Sequence, residues 1–563
     1  MNLNDLSKEE LIQYIMDTEN ITGKYGLIWE REKVPEEIVL NCHKNIPILV
    51  EDESKKIENN GSDNILIEGD NFHSLSVLNY THKDKVDVIY IDPPYNTGNK
   101  DFIYNDSYVD IEDGYRHSKW MNFMYRRLNL SKDLLKDDGV IFISIDETEF
   151  AQLKLLCDKI FNERNLIAIF NWKKTSTPPS LSKNVRRKFE YILCYKKNDY
   201  IKGLNGGMVE GGDMPLLNAS NSYNTITFKK EAVNFKIPDG IYKRGLKDRV
   251  TLENDIEVVN GKSLQDITLS GNFKWLQETV NEEIESGTIF WIKGDKFAIR
   301  YQREGLRIKV PSNIISKEEC DVGTNEDGTK ELKNIFNTNT EVFSHPKPVS
   351  LIKYLVNMVT YDNKNAIILD FFAGSGTTGQ AVLELNKEDN GNRKFILCTN
   401  NENNICEDIT YLRLKTVITG KRKDSSVYSD GMSGSLKYYR TEFVENTNNR
   451  DQLYFDLTEK CIPMLCIKSQ CFIKVKETNE YKIYTNYNKT KYACVYHSLF
   501  GEKEDEFIEE LKRIDSDKYL YKFTLGDIPD LSLYKDVNNY EVEAIPYKIV
   551  ELYKKIVKLS RED

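Results

Sequence analysis

Two short stretches of this chain hold residue types whose spacing could do chemistry together. The first, Asp92-Pro93-Pro94-Tyr95, follows the apolar run VDVIYI. Consecutive prolines fix φ and donate no backbone hydrogen bond, so the corner is stiff. A carboxylate, a carbonyl and a phenol ring on a stiff corner suit a flat base with an exocyclic amine. Asp92 and the Pro93 carbonyl can accept its two N–H groups, and Tyr95 can stack on the ring, a contact worth about 1–3 kcal/mol. That is comparable with the few kcal/mol needed to draw a base out of a duplex. The second stretch is Asp370-Phe371-Phe372-Ala373-Gly374-Ser375-Gly376-Thr377-Thr378-Gly379. Its glycines let the main chain approach a ligand, and a helix N-terminus offers unpaired N–H groups. A triphosphate loop needs a lysine after the last glycine; Gln380-Ala381 stand there instead. Gly374-x-Gly376-x-x-Gly379 also fits a dinucleotide fingerprint, with Glu402 downstream, and spacing alone leaves that open. With Asp370 at a strand tip, a polar Ser-Gly-Thr-Thr loop and a partner motif made for an amine, S-adenosylmethionine (SAM) fits better.

Such motifs need a scaffold that presents strand ends. DNILIEGD (63–70) and VDVIYIDPPY (86–95) read as buried parallel strands joined through a helix. Residues 116–136 form an amphipathic helix, VIFISID a strand, TEFAQLKLLCDKIF a helix and KFEYILCY a further strand. After residue 335 the same grammar resumes with VSLIKYLVNMVT, AIILD, TTGQAVLELNK and KFILCTN. Alternation of this kind predicts an α/β doubly wound sheet. Between 200 and 335 the text turns Gly-, Asn- and Asp-rich with basic clusters at Lys243-Arg244 and at Arg300, Arg303 and Arg307, which predicts an inserted domain. Residues 1–60 open with Ser7-Lys8-Glu9-Glu10, a capping box of an amphipathic helix. Residues 421–563 read as a separate C-terminal α+β domain.

With these motifs in this order, the chain resembles the β class of amino methyltransferases, and more closely the modification (Mod) subunits of type III restriction–modification systems. Supporting stretches are ILIEGDNFHSL, DVIYIDPPYNTGN, FIYNDSY, DDGVIFISIDETE, TNEDGTKELKNIF, HPKPVSLIKYLV and LDFFAGSGTTGQAV, over roughly 60–200 and 320–420. The resemblance implies that Asp92, Pro93, Pro94 and Tyr95 bind and activate a flipped base. It implies that Phe372, Gly374, Ser375 and Gly376, with Asp370, Phe371 and Thr377 beside them, hold the methionine side of SAM. Asp70, next to Asn71, would bind the cofactor's adenine. Asn400 or Glu402 would take the ribose hydroxyls. Lys347, Pro348 and Leu351 match a segment that closes over the cofactor. Residues 200–335 would be the target-recognition domain. Asp rather than Ser or Thr before P-P-Tyr favours adenine N6 over cytosine N4. His117 and His345 lie near motifs, but the reaction needs no histidine.

Composition sets the outer bounds. At 563 residues there is material for several domains. No apolar run reaches the roughly 18–20 residues of a membrane helix, the N-terminus lacks a secretory pattern, and the ten scattered cysteines read as reduced thiols, so a cytoplasmic protein without a metal site is expected. Net charge is −11, which speaks mildly against nucleic acid, but residues 171–197 carry eight Lys/Arg against one Glu and could track phosphates locally. Double-stranded DNA is the expected substrate. The resemblance implies a homodimer and an ATP-dependent restriction (Res) subunit as partner, since this chain has no helicase or nuclease motif. An orphan enzyme acting alone, or a recognition subunit that kept the fold without activity, are the other readings.

Overall fold

The computed structural model describes residue 29 and residues 36–562, apart from 60, 99–100, 105–106, 178–183, 199–202, 304, 448 and 499–500. The helix expected around Ser7–Glu10 and part of the basic stretch at 171–197 lie outside the described residues. The chain divides into two compact units, Met1–Gly203 with Ser312–Asp563, and Leu204–Pro311.

The larger unit is organised by a ten-stranded sheet. In chain order its strands are β1 (Asn45–Glu51), β2 (Asp63–Glu68), β3 (Val86–Ile91), β4 (Leu135–Ile145), β5 (Leu166–Lys173), β6 (Phe189–Lys196), β7 (Ile314–Ile315), β8 (Ile367–Asp370), β9 (Lys394–Thr399) and β10 (Ser435–Glu445). Across the sheet they run β1-β10-β2-β9-β8-β3-β4-β6-β5-β7. From β10 to β4 all neighbours are parallel; β6 is antiparallel to both β4 and β5. Strands β8 and β9 come late in the chain yet sit between β2 and β3: Ile65 pairs with Ile396, and Ile368 with Val88. All six residues of β3 are buried, as its unbroken apolar text requires of a strand covered on both faces.

Helices cover each face. On one, α1 (Glu37–Lys44), α2 (Asn71–Thr81), α3 (Arg116–Leu134) and α4 (Phe150–Phe161) share a core with Ile65, Ile67, Ile89, Ile91, Ile141 and Ile143. On the other, α5 (Asn325–Phe336), α6 (Val349–Thr360), α7 (Thr377–Asp389) and α8 (Leu412–Thr419) follow the later strands. Gly379 lets α7 approach β9 and α8: an added Cβ would lie 2.5 Å from Leu414 Cδ2 and 3.1 Å from Leu397 Cδ1. The fold is therefore a doubly wound α/β sheet, and no described helix is long and apolar enough to cross a membrane.

Domain limits differ from the reading of the sequence. The inserted unit ends at Pro311, not near 335, because Ile314 and Ile315 pair with Asn171 and Trp172 in the main sheet. The described residues of that unit hold a seven-stranded, a four-stranded and a two-stranded sheet with one helix, Gln277–Glu285, and a core of residues such as Phe228, Val250, Leu269 and Phe290. Its basic clusters are partly paired: Lys243 with Asp255 (3.0 Å), Arg300 with Asp213 (2.9 Å) and Arg303 with Glu283. Residues 421–563 are not a separate unit either. β10 enters the main sheet between β1 and β2, and Leu453, Leu457, Met464 and Leu465 join the main core. A five-stranded sheet within 473–546 adds a small core of its own, including Tyr481, Phe507 and Leu520.

Candidate active site

Strands β2, β9, β8 and β3 are adjacent and parallel, so their C-terminal ends share one edge of the sheet, where this architecture opens its ligand crevice. Asp70, Asn400, Asp370 and Asp92 stand at those ends. A cavity of ≈ 770 Å³ opens there. Asp92, Pro93, Pro94, Asp70, Asn71, Phe371, Phe372, Gly374, Asn400 and Glu402 line it. Tyr95, Asp370, Ser375, Gly376, Thr377, Lys347 and Pro348 are not among its lining residues, and each has another position.

At the corner after β3, the Tyr95 hydroxyl lies 2.8 Å from Asp92 Oδ1 and 3.0 Å from Glu190 Oε2. Lys347 Nζ donates to the Tyr95 oxygen (3.0 Å) and pairs with Asp92 Oδ2 (2.9 Å) and Glu190 Oε2 (3.4 Å). Lys347 thus engages the Asp92 corner with its ammonium, whereas its expected place was over the cofactor. It touches the glycine loop only through its main chain, whose carbonyl accepts from Thr377 Oγ1 (3.2 Å). Pro348, also buried, caps the start of α6 without a side-chain bond. Burial, reinforced by Asp92 and Glu190, holds the Tyr95 phenol well above its ordinary pKa. Burial opposes the charge on Lys347, but Asp92 and Glu190 outweigh it and keep the ammonium above its ordinary value. Trp120 Nε1 donates to the Pro94 carbonyl (2.7 Å), and among the described residues no donor is placed on the carbonyl of Pro93.

The glycine loop works differently. Gly374 (φ 48°) and Gly376 (φ 78°) adopt the left-handed backbone that glycine tolerates best, and a Cβ on Gly374 would lie 3.2 Å from Phe343 Cζ. The side chains turn inward. Asp370 accepts from the Phe372 N–H (3.0 Å) and the Thr378 hydroxyl (2.6 Å), and burial raises its carboxyl to about 7. Ser375 Oγ (3.1 Å) and Thr377 Oγ1 (2.8 Å) accept from the fully buried Arg413. The main chain at Gly374, not these hydroxyls, is what meets the cavity.

Beyond β2, Asp70 caps α2 by accepting from Phe72 N–H (2.7 Å), and Asn71 Nδ2 donates to the Phe371 carbonyl (3.2 Å). Both turn residues are steadied by Arg127, which is fully buried, bonds Asn71 and pairs with Glu36 at 3.1 Å. Glu36, Arg127, Glu190 and Arg413 were missed from sequence because their partners lie far along the chain. Phe102, Phe123 and Phe343 in the wall were likewise unread. His117 belongs elsewhere: its Nδ1 lies 2.7 Å from Glu149 Oε1, whose carboxyl burial pushes up to about 8. Within the described part of the basic stretch, Lys173 pairs with Glu318, Lys174 with Glu190, Arg187 with Glu147 and Lys197 with Asp84, while Arg186, Arg187 and Lys188 are exposed.

The charge of the wall decides between ligands. Glu36, Glu37, Asp70, Asp92, Asp101 and Glu402 line the cavity, with Arg127 behind Glu36 and Asp70 and Lys347 behind Asp92, and among the described residues none that lines it is Lys or Arg. An acidic wall disfavours the pyrophosphate of a dinucleotide and favours a cation. SAM carries a sulfonium and a flat adenosine, so acidic groups, aromatic rings and an open main-chain cradle at Gly374 fit it.

Comparison with known proteins agrees with that geometry. The chain is 33% identical over 382 residues to the type III restriction-modification enzyme StyLTI Mod subunit of Salmonella typhimurium, covering 63% of this chain and 55% of that one. It is 32% identical over 446 residues to the EcoPI Mod subunit of Escherichia phage P1, with 70% and 67% covered. It is 32% identical over 344 residues to the type II methyltransferase M.KpnI of Klebsiella pneumoniae, with 59% and 79% covered. The match to the StyLTI subunit thus spans little more than half of that relative's length. A DNA methylase family of N6- and N4-type methyltransferases matches residues 86–411, from the strand before Asp92 to past the glycine loop. The chain belongs to that DNA methylase family.

Proposed function

We propose that this chain is a SAM-dependent DNA methyltransferase that acts on adenine N6 in duplex DNA by base flipping. The observation that carries it is the shared acidic cavity: Asp92 and Pro93 line the same space as Phe372 and Gly374. Bound SAM would supply an electrophilic methyl group on a sulfonium. The main chain at Gly374, the rings of Phe371 and Phe372, Asp70 with Asn71, and Asn400 or Glu402 are the groups that would hold it. The adenine amine is a poor nucleophile because its lone pair is delocalised into the ring. Asp92 and the Pro93 carbonyl would accept its two N–H groups, favour a more tetrahedral nitrogen and stabilise the positive charge growing there. The Asp92 carboxylate then takes the proton that the methylated nitrogen must lose. Tyr95 would stack on the extruded ring.

The names of the relatives, with the order of the motifs, support the finer reading of a type III modification subunit. On that reading residues 204–311 recognise the target sequence, the chain works as a dimer, and an ATP-dependent Res partner supplies cleavage. Incubation of the full chain with methyl-labelled SAM and DNA, followed by nucleoside mass spectrometry, tests the core claim. Labelled N6-methyldeoxyadenosine is expected, with a loss of about 10³-fold in Asp92→Ala. Label found only in N4-methyldeoxycytidine would overturn the base assignment, and no label in DNA would overturn the activity.

A further inference from the structure

Glu190 is a charged residue in the apolar strand β6, 6% exposed in its side chain, and belongs to neither motif. Strands rarely bury a carboxylate unless it is bound on several sides. Here Tyr95 and Lys347 meet Oε2, while Lys174 meets Oε1 from the more exposed side (3.1 Å). Lys347 therefore has two carboxylates to serve. Two carboxylates, Asp92 and Glu190, thus face two ammonium groups, Lys347 and Lys174, and the cluster as a whole is neutral. Without Glu190 the Lys347 ammonium would form a one-to-one pair with Asp92. Lys174 would then leave the cluster with net positive charge, which opposes the charge growing on an amine.

We propose that Glu190 is a positioning residue for methyl transfer: it draws Lys347 and the Tyr95 hydroxyl away from sole contact with Asp92 and offsets the second ammonium, so that Asp92 faces the amine in a cluster without net positive charge. This rests on the methyltransferase reading. Glu190→Gln keeps the shape and removes the charge. In single-turnover methylation of a DNA substrate by the full chain, the variant is expected to transfer about 10²-fold more slowly, with unchanged affinity for S-adenosylhomocysteine. Loss of folded protein alone would lower the number of S-adenosylhomocysteine sites and leave the single-turnover rate per site unchanged. A rate within threefold of wild type, or a lower rate together with weakened S-adenosylhomocysteine binding, overturns the proposal. Should Glu190→Gln not fold, Glu190→Asp, which keeps the charge at shorter reach, is expected to transfer within about tenfold of the wild-type rate; a loss of about 10²-fold there overturns the proposal equally. An inactive wild-type chain would instead remove the methyltransferase reading itself.

Discussion

At the Asp92 corner, ionisable side chains from β3's end, β6 and the segment before α6 meet within hydrogen-bonding distance, whereas the glycine loop turns its side chains inward and offers main chain to the cavity. The corner holds charge against charge in a buried place. The loop is held by hydrogen bonds from one buried arginine to uncharged acceptors, by Asp370, and by backbone conformations suited to glycine. On the proposed function, the difference follows from what each would meet. A reacting amine gains positive charge during the reaction and needs a matching charge already in place. A cofactor that is only held needs shape and a close approach of the backbone.

If that contrast is right, removing the cation from each region should have unequal effects. Lys347→Met leaves the buried Glu190 and the half-buried Asp92 without their shared partner and should lower stability by about 3 kcal/mol, as read by urea unfolding. Arg413→Met removes donors from Ser375, Thr377 and Gln380, all neutral, and should cost about 2 kcal/mol. Equal losses would erase the distinction. A smaller effect concerns the loop's own carboxyl. Burial raises Asp370 to about 7, against about 4 in the unfolded chain. Below about pH 4 both states hold the proton. Between there and about pH 7 the unfolded chain releases it first, so stability falls as pH rises across that window and levels off above it. Asp370→Asn should flatten this slope by on the order of 1–2 kcal/mol between pH 4.5 and 7, measured by unfolding midpoints of the cofactor-free protein. The same slope in both proteins would place the Asp370 carboxyl at an ordinary value.

The same contrast explains what could be read from sequence. The doubly wound sheet was legible because apolar runs of strand length alternate with helical periodicity, and the corner and the loop were legible because both are contiguous. Their supports were not. Glu190 is a lone carboxylate in KFEYILCY, and Arg127 lies seven residues after the buried Trp120 along α3, on the apolar stripe. A charge on a face that must be buried is the signal each gave, but neither names its partner without the fold. Lys347 was recognised as part of a motif, yet its side chain goes to the Asp92 corner and its carbonyl to the glycine loop. The limits of the insertion and of the C-terminal region were hidden for a related reason. β7 and β10 are strands whose pairing lies far away in the chain.

The division of labour between corner and loop is tested most directly by calorimetric titration of S-adenosylhomocysteine into the wild-type chain, Asp92→Ala and Gly374→Val. The left-handed φ of 48° and the nearby Phe343 ring predict that valine at 374 weakens binding at least about tenfold, while Asp92→Ala binds within about twofold of wild type. A loss of affinity in Asp92→Ala as large as that in Gly374→Val, or full affinity in Gly374→Val, would contradict the account.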